Sequence, residues 1–241
     1  MSIENNNRIT ANRVLRRLPY PVFARLKRHT TSVELIPHQV LYRADAPLTD
    51  VYFITRGLVS LVMTMADGRT VETTSIGPEG IAGAFAVLAT NRPMFDTIVQ
   101  LSGTADRIPY GVFKEEVENN AETMDCLRRY IYFTLRRVVQ MSACNSLHSV
   151  EERCCRWLLT AHDSAGADSF AVTQQVLSSL LGVQRVGVTI AAGALQRVGL
   201  IRYSRGRLTI TDRAGLEARA CECYAAIRTL YDEVLGDMAV A

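Results

Sequence analysis

Residues 184–197 carry side chains of the types that contact DNA bases. Arg185 has a guanidinium that can donate two hydrogen bonds to guanine, and Val186 and Ile190 offer apolar surface that fits thymine methyl groups. In a helix over this segment, these side chains and Thr189 point away from an inward apolar stripe. That stripe consists of Val188, Ala191, Ala192 and Leu195. Because apolar residues are unfavourable on a solvated helix face, the pattern favours a recognition helix.

Arginine is concentrated in the same part of the chain. Between Thr173 and Arg213 there are six arginines, at positions 185, 197, 202, 205, 207 and 213, against one acid, Asp212. The formal net charge of the whole chain is only +3. The local excess of positive charge therefore indicates a surface that meets phosphate groups.

Capping and turn signals place these residues in a helix-turn-helix. Thr173 can cap a first helix that ends at Leu181, and Gly182 supplies a left-handed turn. The second helix then runs from Gln184 to Arg197, which is the order of elements in a helix-turn-helix.

Two short strands, 200–203 and 208–211, follow the second helix. They are joined by Ser204-Arg205-Gly206-Arg207, a wing whose arginines lie beside the phosphate backbone and add affinity rather than sequence specificity. We assign DNA contacts to Thr173, Gln184, Arg185, Val186, Thr189, Ile190, Arg205 and Arg207.

The six cysteines lack the spacing of a disulfide framework, and we expect them to be reduced. The run Cys221-Glu222-Cys223 raises the hypothesis of a metal or redox site that Cys154 or Cys155 would complete. Because two ligands are too few for a closed zinc site, we assign no metal ligand. No nucleophile–base grouping, phosphate loop or metal motif appears after Ala121, so we assign no catalytic residue and expect no enzymatic activity.

Upstream of these elements, residues 33–110 show the pattern of short β-strands separated by turns, which is typical of a barrel or sandwich. Arg56-Gly57 and Asp67-Gly68 are expected hairpin connections, and Gly77-Pro78-Glu79-Gly80 is an expected loop. The segment from Arg8 to His29 is predicted to be partly helical and solvated.

A long helix is predicted from about Glu118 to Ser146. Apolar and small polar residues recur along it at alternating spacings of three and four, which is a heptad seam. The seam residues are Met124, Leu127, Ile131, Thr134, Val138, Met141 and Asn145. We expect this seam to join two copies of the chain, the alternative being that it packs against the barrel. Leu135 and Val139 form a second apolar stripe, which can face the barrel.

A new helix begins after the long one. Ser149-Val150-Glu151-Glu152 is a capping box, and the residues that follow place an apolar stripe on one helix face. That face carries Val150, Cys154, Trp157, Leu158 and Ala161, and the helix ends in the loop Ala165-Gly166-Ala167-Asp168.

This order of parts resembles the Crp/Fnr family of bacterial transcription regulators over roughly residues 20 to 235. The most specific segments are Cys144-Asn-Ser-Leu-His-Ser-Val-Glu-Glu-Arg153, Arg156-Trp-Leu-Leu159, Leu181-Gly-Val-Gln-Arg185, Gly199-Leu-Ile-Arg-Tyr-Ser-Arg-Gly206 and Cys221-Glu-Cys-Tyr224, with Val51-Tyr-Phe-Ile54 in the barrel. The resemblance implies an α+β fold. It predicts a jelly-roll sensory domain of the cyclic-nucleotide-binding type with a helical lead-in (1–116), a dimerisation helix (117–148) and a winged helix-turn-helix domain (149–241).

The chain departs from the family where cyclic-nucleotide-binding members hold their ligand. Ala84 follows Gly83 where those members have glutamate for the ribose, and the stretch from Arg92 to Asp96 lacks their Arg-Ser-Ala run for the phosphate. Val138 and Val139 stand near the positions that offer hydroxyls to adenine in cAMP-responsive members. We assign Gly83, Ala84, Arg92, Val138 and Val139 to an effector pocket and expect that it does not take cAMP, so the cofactor remains unidentified.

Two other family features are also absent. The oxygen-sensing branch ligates an iron-sulfur cluster through cysteines near its N-terminus, whereas no cysteine precedes Cys126 here, so we expect no such cluster. Many relatives place Glu and Arg where Val186 and Ile190 stand, so the usual half-site of the family does not carry over.

Together these features predict a homodimeric regulator that binds double-stranded DNA at a palindromic operator, with RNA polymerase as a partner implied by the resemblance. The alternatives are a thiol-switched or ligand-independent regulator and, in another class, the regulatory part of an enzyme. No run of about 18 apolar residues is present, and residues 1–10 lack the apolar core of a signal peptide. We therefore expect a cytoplasmic protein without membrane contact.

Overall fold

The strands predicted between residues 33 and 110 form one sheet in the computed structural model, which describes residues 10–88 and 90–236. The strands are β1 Thr31–Leu35, β2 Val40–Tyr42, β3 Asp50–Thr64, β4 Thr70–Ile76, β5 Ile81–Ala82 and β6 Asp96–Pro109. The order in the sheet is β1-β6-β3-β4, while β2 pairs with β6 and β5 with β3. The pairings of β1 and β2 with β6 are antiparallel, with Thr31 opposite Arg107 and Leu35 opposite Gly103.

One of the two expected hairpin turns is wrong. Arg56-Gly57 lies inside the long strand β3, whereas Asp67-Gly68 forms the predicted connection between β3 and β4. Gly57 has φ +93°, and a Cβ there would lie 2.7 Å from the carbonyl oxygen of Leu101. The opposing Gly103 leaves even less room, because its Cβ would lie 1.9 Å from the Arg56 carbonyl oxygen. The glycine thus permits a close approach of β3 and β6 rather than a turn.

The chain divides into two compact units. The first comprises the residues up to Val59 together with Ile76–Tyr132, and the second comprises Ser60–Ser75 together with the residues from Phe133 onward. The predicted helical lead-in is present in the first unit as a 3₁₀ turn, Leu15–Arg17, and helix α1, Tyr20–Arg28, while Arg8 lies outside the described residues.

Helix α2, Tyr110–Glu118, also belongs to the first unit. Arg25 of α1 donates two hydrogen bonds to the Glu116 carboxylate, at 2.6 and 2.7 Å. Phe113 of α2 packs edge-on against Phe53 of β3, with ring centroids 5.8 Å apart, and both rings are buried. The helix is therefore held to the sheet by its apolar face.

Helix α3, Ala121–Leu147, is the predicted long helix, and most of the second unit follows it. The remaining elements are α4 Val150–Ala165, β7 Ser169–Ala171, α5 Gln174–Leu181, α6 Arg185–Arg197, β8 Ile201–Ser204, β9 Arg207–Ile210, α7 Arg213–Arg219 and α8 Cys223–Leu235. The three strands form a sheet in the order β7-β9-β8. The predicted α+β class, with an antiparallel β domain, a long helix and a C-terminal helix-turn-helix, is confirmed.

The predicted capping box at the start of α4 is also present. The Ser149 hydroxyl accepts a hydrogen bond from the Glu152 amide, and the Glu152 carboxylate accepts one from the Ser149 amide at 2.8 Å. On the buried face, Trp157, Leu158 and Ala161 are inaccessible. Gly166 ends the helix with a left-handed backbone, at φ +64°.

The predicted assignment of the two stripes on α3 requires correction. Leu127, Thr134 and Met141 of the heptad seam are buried by their own chain and therefore are not available to a partner. The second stripe, for which packing against the barrel was one possibility, is exposed, with Leu135 at 57% and Val139 at 61%. Heptad spacing identifies two apolar stripes on such a helix but does not say which one the same chain covers.

A buried carboxylate lies in the core of the second unit. Glu72 of β4 accepts a hydrogen bond from the Ser60 hydroxyl. The guanidiniums of Arg156 on α4 and Arg137 on α3 interact with it electrostatically, and Arg137 also donates to the Ser75 hydroxyl at 2.9 Å. Burial raises the pKa of Glu72, and the hydrogen bond from Ser60 and the two arginines only partly oppose that rise.

The raised pKa of Glu72 predicts a pH-dependent stability that Glu72→Gln removes. Between its usual pKa of 4.5 and the higher folded-state value, Glu72 holds its proton in the folded chain and has lost it in the unfolded chain. Its favourable contribution is therefore complete below the unfolded pKa and is lost as the pH rises through the folded pKa. Urea unfolding of both proteins at a series of pH values should show the wild type losing stability relative to the glutamine variant as the pH rises. A difference that stays constant with pH would contradict this expectation.

Candidate nucleic-acid interface

Helices α5 and α6 form the predicted helix-turn-helix. The Thr173 hydroxyl caps α5 by accepting a hydrogen bond from the Val176 amide at 3.1 Å, and Gly182 ends the helix at φ +63°. The chain bends by 112° between the two helices, within the range of about 90–120° usual for this motif. Among the described residues no single helix is long and apolar enough to cross a membrane; α5 and α6 reach that length and apolar character only when taken together, across this bend.

The two faces of α6 are arranged as the sequence predicts. Val188, Ala191, Ala192 and Leu195 are all buried, which confirms the inward stripe. On the opposite side Val186 is 59% exposed and Ile190 is 65% exposed, and Arg185 and Thr189 are also exposed. The helix therefore presents a surface that combines one cation with two β-branched apolar side chains.

The start of α5 adds a residue that sequence analysis missed. Gln174 follows the capping Thr173, and its Oε1 lies 2.8 Å from the Thr189 hydroxyl on α6. The same hydroxyl lies 3.1 Å from the carbonyl oxygen of Arg185. Gln174 therefore lies beside the exposed face of α6 and extends it. In the sequence, only the position of Gln174 in the first turn after the helix cap could have indicated a DNA contact. Many residues that make no such contact occupy the same position.

A buried arginine supports the turn between the helices. Arg153 of α4 donates a hydrogen bond to the carbonyl of Leu181, the last residue of α5. Its second terminal nitrogen lies 3.4 Å from the carbonyl oxygen of Asn145 near the end of α3. One side chain thus holds the end of α5 and the end of α3 in place.

The predicted wing is present. Its first strand lies one residue later than predicted, and its second strand lies one residue earlier. Strands β8 and β9 are joined through Arg205 and Gly206, whose φ angles of +51° and +75° are both left-handed, as the twist of a two-residue hairpin requires. Tyr203 anchors the wing, since its hydroxyl donates to the Val172 carbonyl at 2.7 Å and its amide donates to Gln196 Oε1 of α6 at 2.9 Å.

The arginines of this region divide into two groups. Arg213 forms ion pairs with Asp163 at 2.8 Å and Glu217 at 2.9 Å, so its charge is neutralised locally. The other five are exposed, and within the described part of the chain none of them pairs with a carboxylate. These five are Arg185, Arg197, Arg202, Arg205 and Arg207. The positive surface therefore consists of α6 and the wing.

The residues assigned to an effector pocket belong to different units. In the first unit Gly83 has φ +98° beside Tyr42, and Ala84 is buried at the start of a 3₁₀ turn. Arg92 is exposed and donates to the Asp45 carbonyl. Val138 and Val139 belong to the second unit, half-buried and exposed respectively, and the assignment of all five to one pocket stays a prediction.

The stretch that replaces the phosphate-binding run ends in an acid. The Asp96 carboxylate accepts hydrogen bonds from Arg43 at 2.9 Å and from the Ala44 amide at 2.8 Å. The Arg43 guanidinium and the Ala44 amide are thus already bound to a carboxylate of the same chain. A ligand phosphate would meet a carboxylate here.

Family models match both halves of the chain. The model of the cyclic nucleotide-binding domain matches residues 32–120, and that of the Crp-like helix-turn-helix domain matches residues 152–219. The second match contains the whole of α5, α6 and the wing, whose geometry is described above. The chain belongs to the Crp/Fnr family.

Solved structures share the fold of this Crp/Fnr protein. FixK2 from Bradyrhizobium japonicum has a TM-score of 0.66 at 16% identity, covering 80% of this chain and 98% of its own. A CRP-family transcriptional regulator from Thermus thermophilus has a TM-score of 0.65 at 20% identity, covering 78% of this chain and 96% of its own. The two domains that the family models match are both regulatory domains.

The curated relatives are much longer proteins. The neuropathy target esterase sws of Drosophila melanogaster is 26% identical over 126 residues, which are 49% of this chain and 9% of the esterase. The esterase of Drosophila erecta matches to the same extent. The likeness therefore concerns a small part of each esterase.

The cap at Thr173 predicts a measurable loss of stability in Thr173→Ala. Without the hydroxyl the Val176 amide loses its acceptor, and the unfolding free energy should fall by about 1 kcal/mol. Thr173→Ser keeps an acceptor oxygen and should lose much less. Urea unfolding of the three proteins measures both values, and an equal loss in the serine and alanine variants would show that the hydroxyl does not act as a cap.

Proposed function

We propose that this Crp/Fnr protein is a sequence-specific transcription regulator that acts as a homodimer on a palindromic operator. The observation that carries the proposal is the exposed face of α6. Val186 and Ile190 expose more than half of their surface beside Arg185, while the opposite stripe is buried. In a major groove the two apolar side chains pack against thymine methyl groups, and Arg185 donates to the acceptor pair of guanine.

Phosphate contacts supply the rest of the affinity in this proposal. Arg205 lies in the turn of the wing and Arg207 begins β9, which pairs with the strand that Tyr203 ties to α6. Because neither arginine has a carboxylate partner among the described residues, both charges are available to displace counterions from DNA. The wing then positions the protein, and α6 reads the bases.

The exposed stripe of α3 supports homodimerisation. Arg128, Tyr132, Leu135, Val139, Ser142 and Ser146 are exposed and follow one another at alternating spacings of four and three. This is a heptad seam at a register different from the one predicted from the sequence. A second copy of α3 would cover Leu135 and Val139, and the resulting two-fold symmetry would pair two α6 helices with two operator half-sites.

The first unit has the sensory role in this proposal. The Asp96 carboxylate and the alanine at position 84 favour an effector other than cAMP, and the position of the first cysteine, Cys126, argues against the iron-sulfur cluster of the oxygen-sensing branch. A ligand-independent or thiol-switched regulator is the alternative. We further propose a cytoplasmic location and RNA polymerase as a partner, on the basis of the family.

Paired variants separate base reading from phosphate contact. After selection of a high-affinity operator from random duplexes, Arg185→Ala should cost about 1–3 kcal/mol per half-site, or about 5- to 150-fold in Kd for each half-site, and should relax the preference at one base pair of each half-site. Arg207→Ala should weaken all sequences alike and reduce the salt dependence of log K by about one per chain.

Titrations by fluorescence anisotropy at several salt concentrations measure both effects. The selection itself must return sites with two-fold symmetry. An asymmetric or sequence-indifferent pool, or an Arg185→Ala variant with unchanged sequence preference, would overturn the proposed reading.

The exposed stripe predicts that Leu135→Glu dissociates the dimer. Burying a leucine contributes about 1.5–3 kcal/mol, and the dimer contains two copies, so dimerisation should weaken by about 100-fold or more. Leu88→Glu is the matched control, because Leu88 has the same 57% exposure and lies outside α3. Sedimentation equilibrium should show monomers for the first variant only. If both variants remain dimers, the interface lies elsewhere.

A further inference from the structure

Three cysteines and a histidine converge where α3 ends and α8 begins. Cys144, His148, Cys221 and Cys223 each offer one ligand atom, and these four atoms all lie within 4.8 Å of one another. The three cysteines are buried and the histidine is half-buried. None of these side chains belongs to the proposed DNA surface, and all four lie in the second unit.

The fold completes a ligand set that the sequence showed only in part. Cys221 and Cys223 flank the residue that precedes α8, and the Cys-x-Cys spacing had suggested two ligands. Cys144 and His148 come from a segment more than seventy residues earlier, one helical turn apart at the end of α3. The two cysteines that we had considered as further ligands, Cys154 and Cys155, lie on α4 and are not part of the group.

Two distances within the group match the edges of a tetrahedron around a single ion. The sulfur atoms of Cys144 and Cys221 are 3.6 Å apart, and the Cys223 sulfur is 3.7 Å from His148 Nδ1. A zinc ion bound at about 2.3 Å to each sulfur separates two such sulfurs by about 3.8 Å, the edge of the tetrahedron. An iron-sulfur cluster places its own iron and sulfide atoms between ligands on different irons, and four ligand atoms that all lie within 4.8 Å of one another leave no room for them.

The surroundings orient the ligands as metal sites require. His148 turns Nδ1 toward the sulfur and Nε2 toward the Glu222 carboxylate, 3.0 Å away. A carboxylate behind a histidine fixes the orientation of the ring and makes it a better ligand. The Gln140 side-chain amide donates to the Cys223 sulfur at 3.0 Å, a contact that stabilises a thiolate.

The charge of such a site is also compensated. Three thiolates around a divalent cation leave one net negative charge, and the guanidinium of Arg156 interacts electrostatically with both Cys144 and Cys221. Arg156 is itself buried, so its charge acts in a medium where water screens it little.

We propose that Cys144, His148, Cys221 and Cys223 bind one Zn²⁺ ion in a closed tetrahedral site. Soft thiolates with one imidazole select zinc among the common divalent ions, and four protein ligands leave no position for a substrate. The ion is therefore structural. It links the junction between α3 and α4, where His148 precedes the capping Ser149, to the start of α8.

Metal analysis of the full-length protein, purified without chelator, tests the site. The wild type should contain one zinc per chain. Cys144→Ser and His148→Ala should lose it, His148→Cys should retain it because it restores a fourth ligand, and Cys126→Ser outside the group should retain it as the matched control. Removing zinc with a chelator should lower the melting temperature of the wild type and of His148→Cys, and leave that of His148→Ala unchanged.

A measurement on the wild-type chain keeps the test independent of whether the variants fold. Replacing the ion with Co²⁺ should give the strong visible absorption of tetrahedral cobalt together with thiolate-to-cobalt charge transfer. Absence of stoichiometric metal combined with absence of this spectrum would overturn the proposal. So would full zinc content in both Cys144→Ser and His148→Ala, or a disulfide between Cys144 and Cys221 in the native protein.

Discussion

Two arginines buried side by side on α4 hold the second unit together. Arg153 donates to the carbonyl at the end of α5, and Arg156, one turn further along, faces the buried carboxylate of Glu72. A buried charge is costly unless nearby polar groups compensate it, and here a backbone carbonyl and a buried acid of the same unit lie beside the two guanidiniums. The end of α5, where the chain turns toward α6, therefore depends on Arg153, a cation that lies almost wholly inside the fold. Arg156 also interacts with Cys144, so the same helix face connects the β3–β4 hairpin and the cysteine group.

The arginines show why total charge says little about this protein. Arg137, Arg153 and Arg156 are buried and compensate charges or carbonyls inside the fold. Arg213 is held by two carboxylates, whereas Arg185 remains exposed on α6. A net charge of +3 thus arises from cations with opposite roles, some stabilising the interior and others forming the positive surface.

Local signals in the sequence predicted local structure well. The cap at Thr173, the left-handed turn at Gly182 and the buried stripe around Val188 each depend on neighbours within a few residues, and all are present. The failures concern long-range contacts. Arg56-Gly57 has the composition of a turn but lies where two strands approach closely. The two apolar stripes of α3 have similar spacing in the sequence, and only the folded chain shows which of them is buried. The cysteine group joins residues about eighty positions apart, and no spacing rule connects them.

The left-handed backbone at Arg205 has a consequence for how the wing meets a duplex. A residue other than glycine at φ +51° carries a conformational cost of about 1–2 kcal/mol, which the folded hairpin already bears before any encounter. The backbone of the turn therefore has its conformation before DNA binds, and the Arg205 side chain extends from an ordered backbone. Because less conformational entropy is lost when DNA binds, more of the attraction between guanidinium and phosphate remains as net binding free energy.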